Sequence, residues 1–215
     1  MSDPDTFCDG CGLKLSPEHL ANRVKRIELA SRYRPLRIRL LFLAEAPPLR
    51  LQSYFYFPGH GEMQKGVLSR AFFDELMRAL GFLGAPDDDR DEAAALQEFQ
   101  KHGFFLADAI ECPLEEVAPG LYEGRSAIGW NDLAHRYTKG LITRIQNSFK
   151  PTWVVPISKR LHRYLLPLLR DAGLGSKFVL HQNLALPFPH PFNPAAQAQF
   201  RAGIEQALRT MEKGE

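Results

Sequence analysis

Leu40-Leu41-Phe42-Leu43-Ala44-Glu45-Ala46-Pro47-Pro48 is an apolar run of strand length that ends in one carboxylate and a proline pair. An unbroken hydrophobic run of this size is the pattern of a parallel strand covered on both faces, and proline stops its ladder. In open α/β sheets ligands collect at the carboxyl ends of such strands, so Glu45 stands where chemistry gathers. Taken alone, Glu45 also fits an ordinary loop or capping carboxylate. The segment Phe104-Phe105-Leu106-Ala107-Asp108-Ala109-Ile110-Glu111-Cys112-Pro113 repeats the design, with an acidic residue near the strand end and then proline. Asp108 and Glu45 are therefore expected to face one crevice.

Working outward, helical periodicity covers Ser16 to Ser31, Ser69 to Leu80, Asp91 to Lys101, Asp132 to Phe149, Leu161 to Leu169 and Ala195 to Met211. Thr152 to Ile157 and Lys177 to Leu180 read as further strands, and residues 114–131 look irregular. Strands alternating with helices at these lengths predict an α/β fold, a short, mostly parallel central sheet in a three-layer α/β/α arrangement. At 215 residues the chain is expected to form a single domain over residues 1–215.

With 45% hydrophobic and 24% charged residues, the composition is that of a soluble globular protein, and no apolar run reaches membrane-span length. The start, Met1-Ser2-Asp3-Pro4-Asp5, has no basic segment leading into an apolar one, which predicts a cytoplasmic, reducing setting and no disulfide framework for the three cysteines. Net charge is only +2, but Arg23, Lys25, Arg26, Arg32, Arg34, Arg37 and Arg39 crowd one segment while Asp87 to Glu92 is acidic. That segregation fits either a solvated helix or a phosphate-binding stripe.

Four stretches carry candidate chemistry. Phe7-Cys8-Asp9-Gly10-Cys11-Gly12 is a Cys-x-x-Cys turn, half of a metal site. Tyr54-Phe55-Tyr56-Phe57, followed by Pro58-Gly59-His60, is an aromatic loop that fits stacking on a planar ligand or closing of the core. Ser158-Lys159-Arg160 before a helix fits a phosphate site or simple capping. In Pro187-Phe188-Pro189-His190-Pro191-Phe192-Asn193-Pro194, four prolines stiffen the backbone around His190, holding a titratable ring on a rigid surface loop at little entropic cost.

Together these motifs resemble the uracil-DNA glycosylase superfamily. Ala44-Glu45-Ala46-Pro47-Pro48 resembles the Gly-Glu-Ala-Pro-Gly first motif of the iron-sulfur-containing branch. His190-Pro191-Phe192-Asn193-Pro194 resembles the closing His-Pro motif, with the Asn-Pro of the single-strand-selective branch. Cys8, Cys11 and Cys112 fall where the first three cluster cysteines of the iron-sulfur branch lie, and Phe57 resembles the phenylalanine that stacks on the base. The resemblance runs through most of the chain in order and spacing, each motif being short.

It implies hydrolysis of an N-glycosidic bond in DNA, in base-excision repair, by a monomer whose partner is DNA carrying a modified base. Such a site needs a donor for the leaving base and a carboxylate or polarised water beneath the sugar. On this reading His190 bonds the departing base, Glu45 and Asp108 serve water and base, and Ala44, Ala46, Pro47 and Phe57 line the base pocket. Ser158, Lys159, Pro191, Phe192 and Asn193 then face DNA, with Phe192 as an apolar wedge.

The chain departs from the pattern at Ala44 and Pro48, where the family has glycine, and at Asp108, where the iron-sulfur branch often has asparagine. An ionised carboxylate only accepts hydrogen bonds, whereas an amide accepts and donates. No fourth cysteine follows. Thr138 stands near its expected place, and His135 three residues earlier completes a Cys3His set of Cys8, Cys11, Cys112 and His135. Such a set suits zinc better than an iron-sulfur cluster; a remnant that binds no metal is the other reading. The remaining histidines, His19, His102, His162 and His181, show no ligand spacing and read as solvated. Two functional alternatives stand beside the glycosylase: a catalytically inactive nucleic-acid or nucleotide binding module of the same fold, and a pocket for another small substrate.

Overall fold

The computed structural model describes residues 6–57, 68–84 and 91–213. His60 and residues 87–90 of the acidic run lie outside the described residues. The fold is α/β, built on a parallel sheet of β1 (Leu40–Ala44), β2 (Phe104–Asp108) and β3 (Trp153–Pro156) in the order β2-β1-β3. Seven α-helices occur among the described residues: α1 (Pro17–Arg32), α2 (Leu68–Ala79), α3 (Glu92–Lys101), α4 (Leu114–Val117), α5 (Trp130–Thr143), α6 (Leu166–Leu169) and α7 (Pro194–Lys213).

The apolar run Leu40–Ala44 is the central strand. Leu40, Leu41, Phe42 and Leu43 are fully buried, and each such side chain contributes about 1.5–3 kcal/mol of burial energy. In register, Ala44 lies beside Asp108, and Leu43 beside both Ala107 and Pro156. The residues that follow the three strands therefore emerge at one edge. Ala109 and Ile110 donate to the carbonyls of Ala44 (2.8 Å) and Glu45 (2.9 Å), so the backbone at Glu45 is fixed from the neighbouring strand.

The outer edge of β2 is closed by a side chain. The Tyr56 hydroxyl donates to the Leu106 carbonyl (3.0 Å) and accepts from the Leu106 N–H (2.7 Å), satisfying a backbone pair that has no strand partner on that side among the described residues. Beyond β3 the expected strand Lys177 to Leu180 is reduced to a single parallel bridge, Val154 with Phe178. A tight turn with positive φ at Gln182 (53°) and Asn183 (64°), closed by an antiparallel bridge between His181 and Leu184, folds the chain back at once, and pairing alongside β3 resumes at Leu186 with Ile157.

Helix boundaries follow local chemistry. Ser16 caps α1 by accepting from the His19 N–H (3.1 Å), with Pro17 in the first turn. The helix expected over 132–149 begins earlier, at Trp130, and its last stretch, Arg144–Phe149, widens to π geometry. It stops at Lys150 (φ 46°), because the residue before Pro151 is disfavoured in the α region. Residues 114–131, expected to be irregular, start with the single turn of α4. Arg201 on α7 forms a two-pronged pair with buried Glu75 on α2 (Nη2 to Oε2, 2.9 Å), which holds these helices together beside the sheet edge. At Gly203 an added Cβ would lie 2.1 Å from the Leu186 side chain, so α7 can lie against Leu186, just before the histidine loop, only because no side chain stands there.

Candidate functional site

A cavity of about 940 Å³ opens where the three strands end, and Ala44, Glu45, Ala46, Pro47, Asp108, Ser158, Lys159, His190 and Asn193 all line it. Its apolar wall is aromatic: Tyr54, Phe55, Phe72 and Phe188, with Phe72 and Phe188 stacked at 5.2 Å between centroids. The size and the mixture of an apolar wall with a few converging polar groups are those of a small-molecule pocket.

Glu45 is held from three sides. Ser158 donates to Oε1, the Tyr122 hydroxyl lies 3.3 Å from Oε2, and Arg160 Nη1 lies 3.5 Å from Oε1. Arg160 is itself fixed, its guanidinium lying 4.9 Å from the ring centroids of both Tyr122 and Trp130. Ser158 is buried, and its oxygen also accepts from the N–H groups of Arg160 (2.9 Å) and Leu161 (3.4 Å). The hydroxyl expected to meet phosphate is thus committed inside the protein. Lys159 remains exposed on the cavity rim.

Asp108 sits across from Glu45 at the end of β2. Its carboxyl takes no hydrogen bond from a described residue. Arg144, whose charge bears on this carboxyl, spends donors on the backbone carbonyls of Asp108 (3.0 Å) and Ala109 (2.8 Å). Burial pushes the Asp108 carboxyl up to about 7, and the charges of Arg144 and Arg26, which act in the opposite direction, do not offset it.

His190 stands exposed on its proline loop. Its carbonyl accepts from Asn193 N–H (2.9 Å), and its Nδ1 lies 3.4 Å from the Phe192 N–H. Nδ1 as acceptor leaves the ring proton on Nε2, which makes the outward nitrogen a donor. Asn193 caps α7 by accepting from Ala196 N–H (3.0 Å). Pro191 and Phe192 are not among the cavity-lining residues, and Phe192 projects with 85% of its surface exposed. Phe57 does not line the cavity either; it packs against the main core, and Phe55 and Tyr54 occupy the wall instead.

A second constellation lies apart from the cavity. Cys8, Cys11, Cys112 and His19 are all buried, and their ligand atoms lie within 4.8 Å of one another. Cys8 Sγ is 3.8 Å from Cys112 Sγ, and His19 Nε2 is 3.6 Å from Cys11 Sγ and 3.5 Å from Cys112 Sγ. The three cysteines converge as expected, but the fourth ligand is His19, not His135, which is exposed on α5. The reason is geometric: the Ser16 cap starts α1 so that His19, in its first turn, faces back to the Cys-x-x-Cys turn. Glu116 accepts from His19 Nδ1 at 2.6 Å, fixing the ring with Nε2 toward the sulfurs, the carboxylate–histidine arrangement that orients metal-bound imidazoles. Burial pushes the Cys112 thiol up, and the neighbouring Cys11 adds to this; a bound cation reverses that cost, because coordination deprotonates a thiol. The four residues are consistent with a metal site.

Sequence reasoning missed Tyr122, Arg160 and His19, each of which acts through a partner remote in the chain. Comparison with known proteins adds no further constraint: the chain matches no protein-family model, no curated protein and no solved structure.

Proposed function

We propose that the chain is a DNA glycosylase of the uracil-DNA glycosylase type, a three-layer α/β/α domain that hydrolyses the N-glycosidic bond of a deaminated base during DNA repair. The observation that carries this reading is the convergence of Glu45, Asp108 and His190 on one aromatic-walled cavity. A flipped base enters that cavity against Phe55, Phe72 and Phe188, which supply stacking surface.

Glu45, oriented by Ser158 and Tyr122, lies beneath the sugar. Its carboxylate accepts a proton from water as that water bonds to the anomeric carbon, and its charge stabilises the oxocarbenium character of the transition state. The C–N bond breaks with its electron pair leaving on the base. His190 Nε2–H donates to an oxygen of that departing base, where negative charge develops. Lys159 and Arg160 offer cationic contacts to the flanking phosphates, and the exposed Phe192 ring fills the gap left in the stack.

Zinc fits the Cys3His cluster. Ligand atoms about 2.3 Å (sulfur) and about 2.0–2.1 Å (nitrogen) from a tetrahedral centre lie about 3.8 Å apart for two sulfurs and about 3.6 Å for sulfur and nitrogen, close to the 3.8, 3.6 and 3.5 Å separations here. Four protein ligands leave no open position, so the ion would tie the amino-terminal turn to α1 and to the segment after β2, and it would take no part in the reaction.

The test is base release from labelled single-stranded and duplex oligonucleotides carrying uracil, hypoxanthine or xanthine, read as strand cleavage after alkali. Release of a deaminated base is expected. DNA binding with no release from any substrate, by folded and metal-loaded protein, would overturn the reading.

A further inference from the structure

We infer that Asp108 reads the base as a neutral carboxylic acid, its carbonyl accepting a ring N–H while its hydroxyl donates to the adjacent carbonyl oxygen of the base. This rests on the glycosylase reading for the identity of the ligand, but the state of Asp108 follows from its surroundings. The carboxyl lines the cavity beside Tyr54, Phe55 and Leu106, an apolar and aromatic setting that offers no hydrogen bond from a described residue.

The charged and titratable groups around it are already committed. From α1, Arg26 is buried and donates to the carbonyls of Pro48 (3.1 Å) and Leu49 (3.0 Å). From the end of α5, Arg144 is bound to two backbone carbonyls and lies 3.6 Å from Glu111. Glu111, on the segment after β2, adds a like charge. Across the cavity Glu45 is held by Ser158 and Tyr122, and Tyr54 is kept in its phenol form by burial. Among the described residues, Lys159, Arg160, Glu115 and His190 complete the charged and titratable cavity lining. No side-chain cation among the described residues is left to compensate an Asp108 carboxylate, so the proton is retained up to about pH 7.

A neutral acid presents a donor and an acceptor side by side, the complement of a ring that places N–H next to C=O. It also helps departure. As the glycosidic bond breaks, charge spreads over the base oxygens; His190 takes one and the Asp108 hydroxyl the other, whereas a carboxylate there would repel it. Ionised Asp108 would therefore both lose one hydrogen bond and oppose the leaving charge.

The experiment is single-turnover release of uracil from a single-stranded oligonucleotide between pH 5.5 and 8.5, by the full chain and by Asp108→Asn, an amide that keeps donor and acceptor at every pH. The wild-type rate is expected to fall by about tenfold per pH unit above pH 7. The ratio of Asp108→Asn to wild type then rises by about 16-fold between pH 7 and 8.5. Parallel profiles for the two proteins would overturn the inference while leaving the glycosylase reading intact. Should neither release uracil at any pH, that reading fails for uracil, and binding of 1-methyluracil decides: affinity lost above pH 7 only in the wild type supports a neutral Asp108, and pH-independent binding or no binding overturns it.

Discussion

The Ser158 hydroxyl donates to Oε1 of Glu45 from a residue whose φ is 143°, a conformation glycine adopts freely and serine does not. Strain at a residue that orients the candidate catalytic carboxylate separates two effects usually entangled. Ser158→Ala and Ser158→Gly should lower turnover alike, by about 10- to 100-fold, since both lose the donor that aims Glu45. Stability should differ. Both variants lose the cap at Arg160 and Leu161, worth about 1 kcal/mol, but glycine regains about 1 kcal/mol or more from backbone relief. Thermal melts with single-turnover rates check this; equal stability for the two variants would remove strain from the account.

The cluster predicts about one zinc per chain and no iron-sulfur absorption band in the visible range. His19→Ala should abolish metal retention and Glu116→Gln should weaken it by about 10- to 100-fold, through loss of the bond that fixes the imidazole. His135→Ala should leave metal content as in the wild type, because His135 is exposed on α5. Elemental analysis after dialysis against a graded chelator distinguishes the three, and metal loss in His135→Ala would contradict the assignment.

Asp108 also makes stability depend on pH. Its folded value of about 7 lies above the ordinary 3.8, so the folded chain holds a proton that the unfolded chain has released. That contribution is fully present below about pH 4 and is lost as pH rises through 7. Asp108→Asn should therefore be more stable than wild type at pH 8, on the order of 2–4 kcal/mol, with the difference vanishing toward pH 4. Denaturant midpoints at both pH values measure it; a gain at low pH instead would reverse the sign.

Phe192 is 85% exposed and outside the cavity. Phe192→Ala should change folding stability by less than about 0.5 kcal/mol. It should slow base release from duplex several-fold more than from single strands, because only duplex needs the vacated stack filled.

Much of this arrangement can be read from the chain because its signals are local. Two unbroken apolar runs ending in Glu45 and Asp108 become adjacent parallel strands in register, and the prolines around His190 announce a rigid loop. What escaped was non-local. His19 looks like any polar residue in a first helical turn until the fold brings Cys112 to 3.5 Å from its Nε2. Arg160 and Tyr122 gain their roles only through Glu45, and a chain count to His135 takes no account of which face of α5 meets the cysteines: Leu133 and Tyr137 pack there, and His135 is exposed. Four consecutive aromatics marked the pocket wall correctly, but not which of them face it: Phe55 lines the cavity and Phe57 does not.

The central claim is that Glu45, at the end of β1, drives hydrolysis in this cavity. Its most direct test is single-turnover release of free uracil from a labelled oligonucleotide by wild type and Glu45→Gln, with DNA affinity measured alongside. The account predicts release by the wild type, a rate lower by orders of magnitude for Glu45→Gln, and similar DNA binding for both. Equal rates for the two proteins, or binding by the wild type without any release, would contradict it.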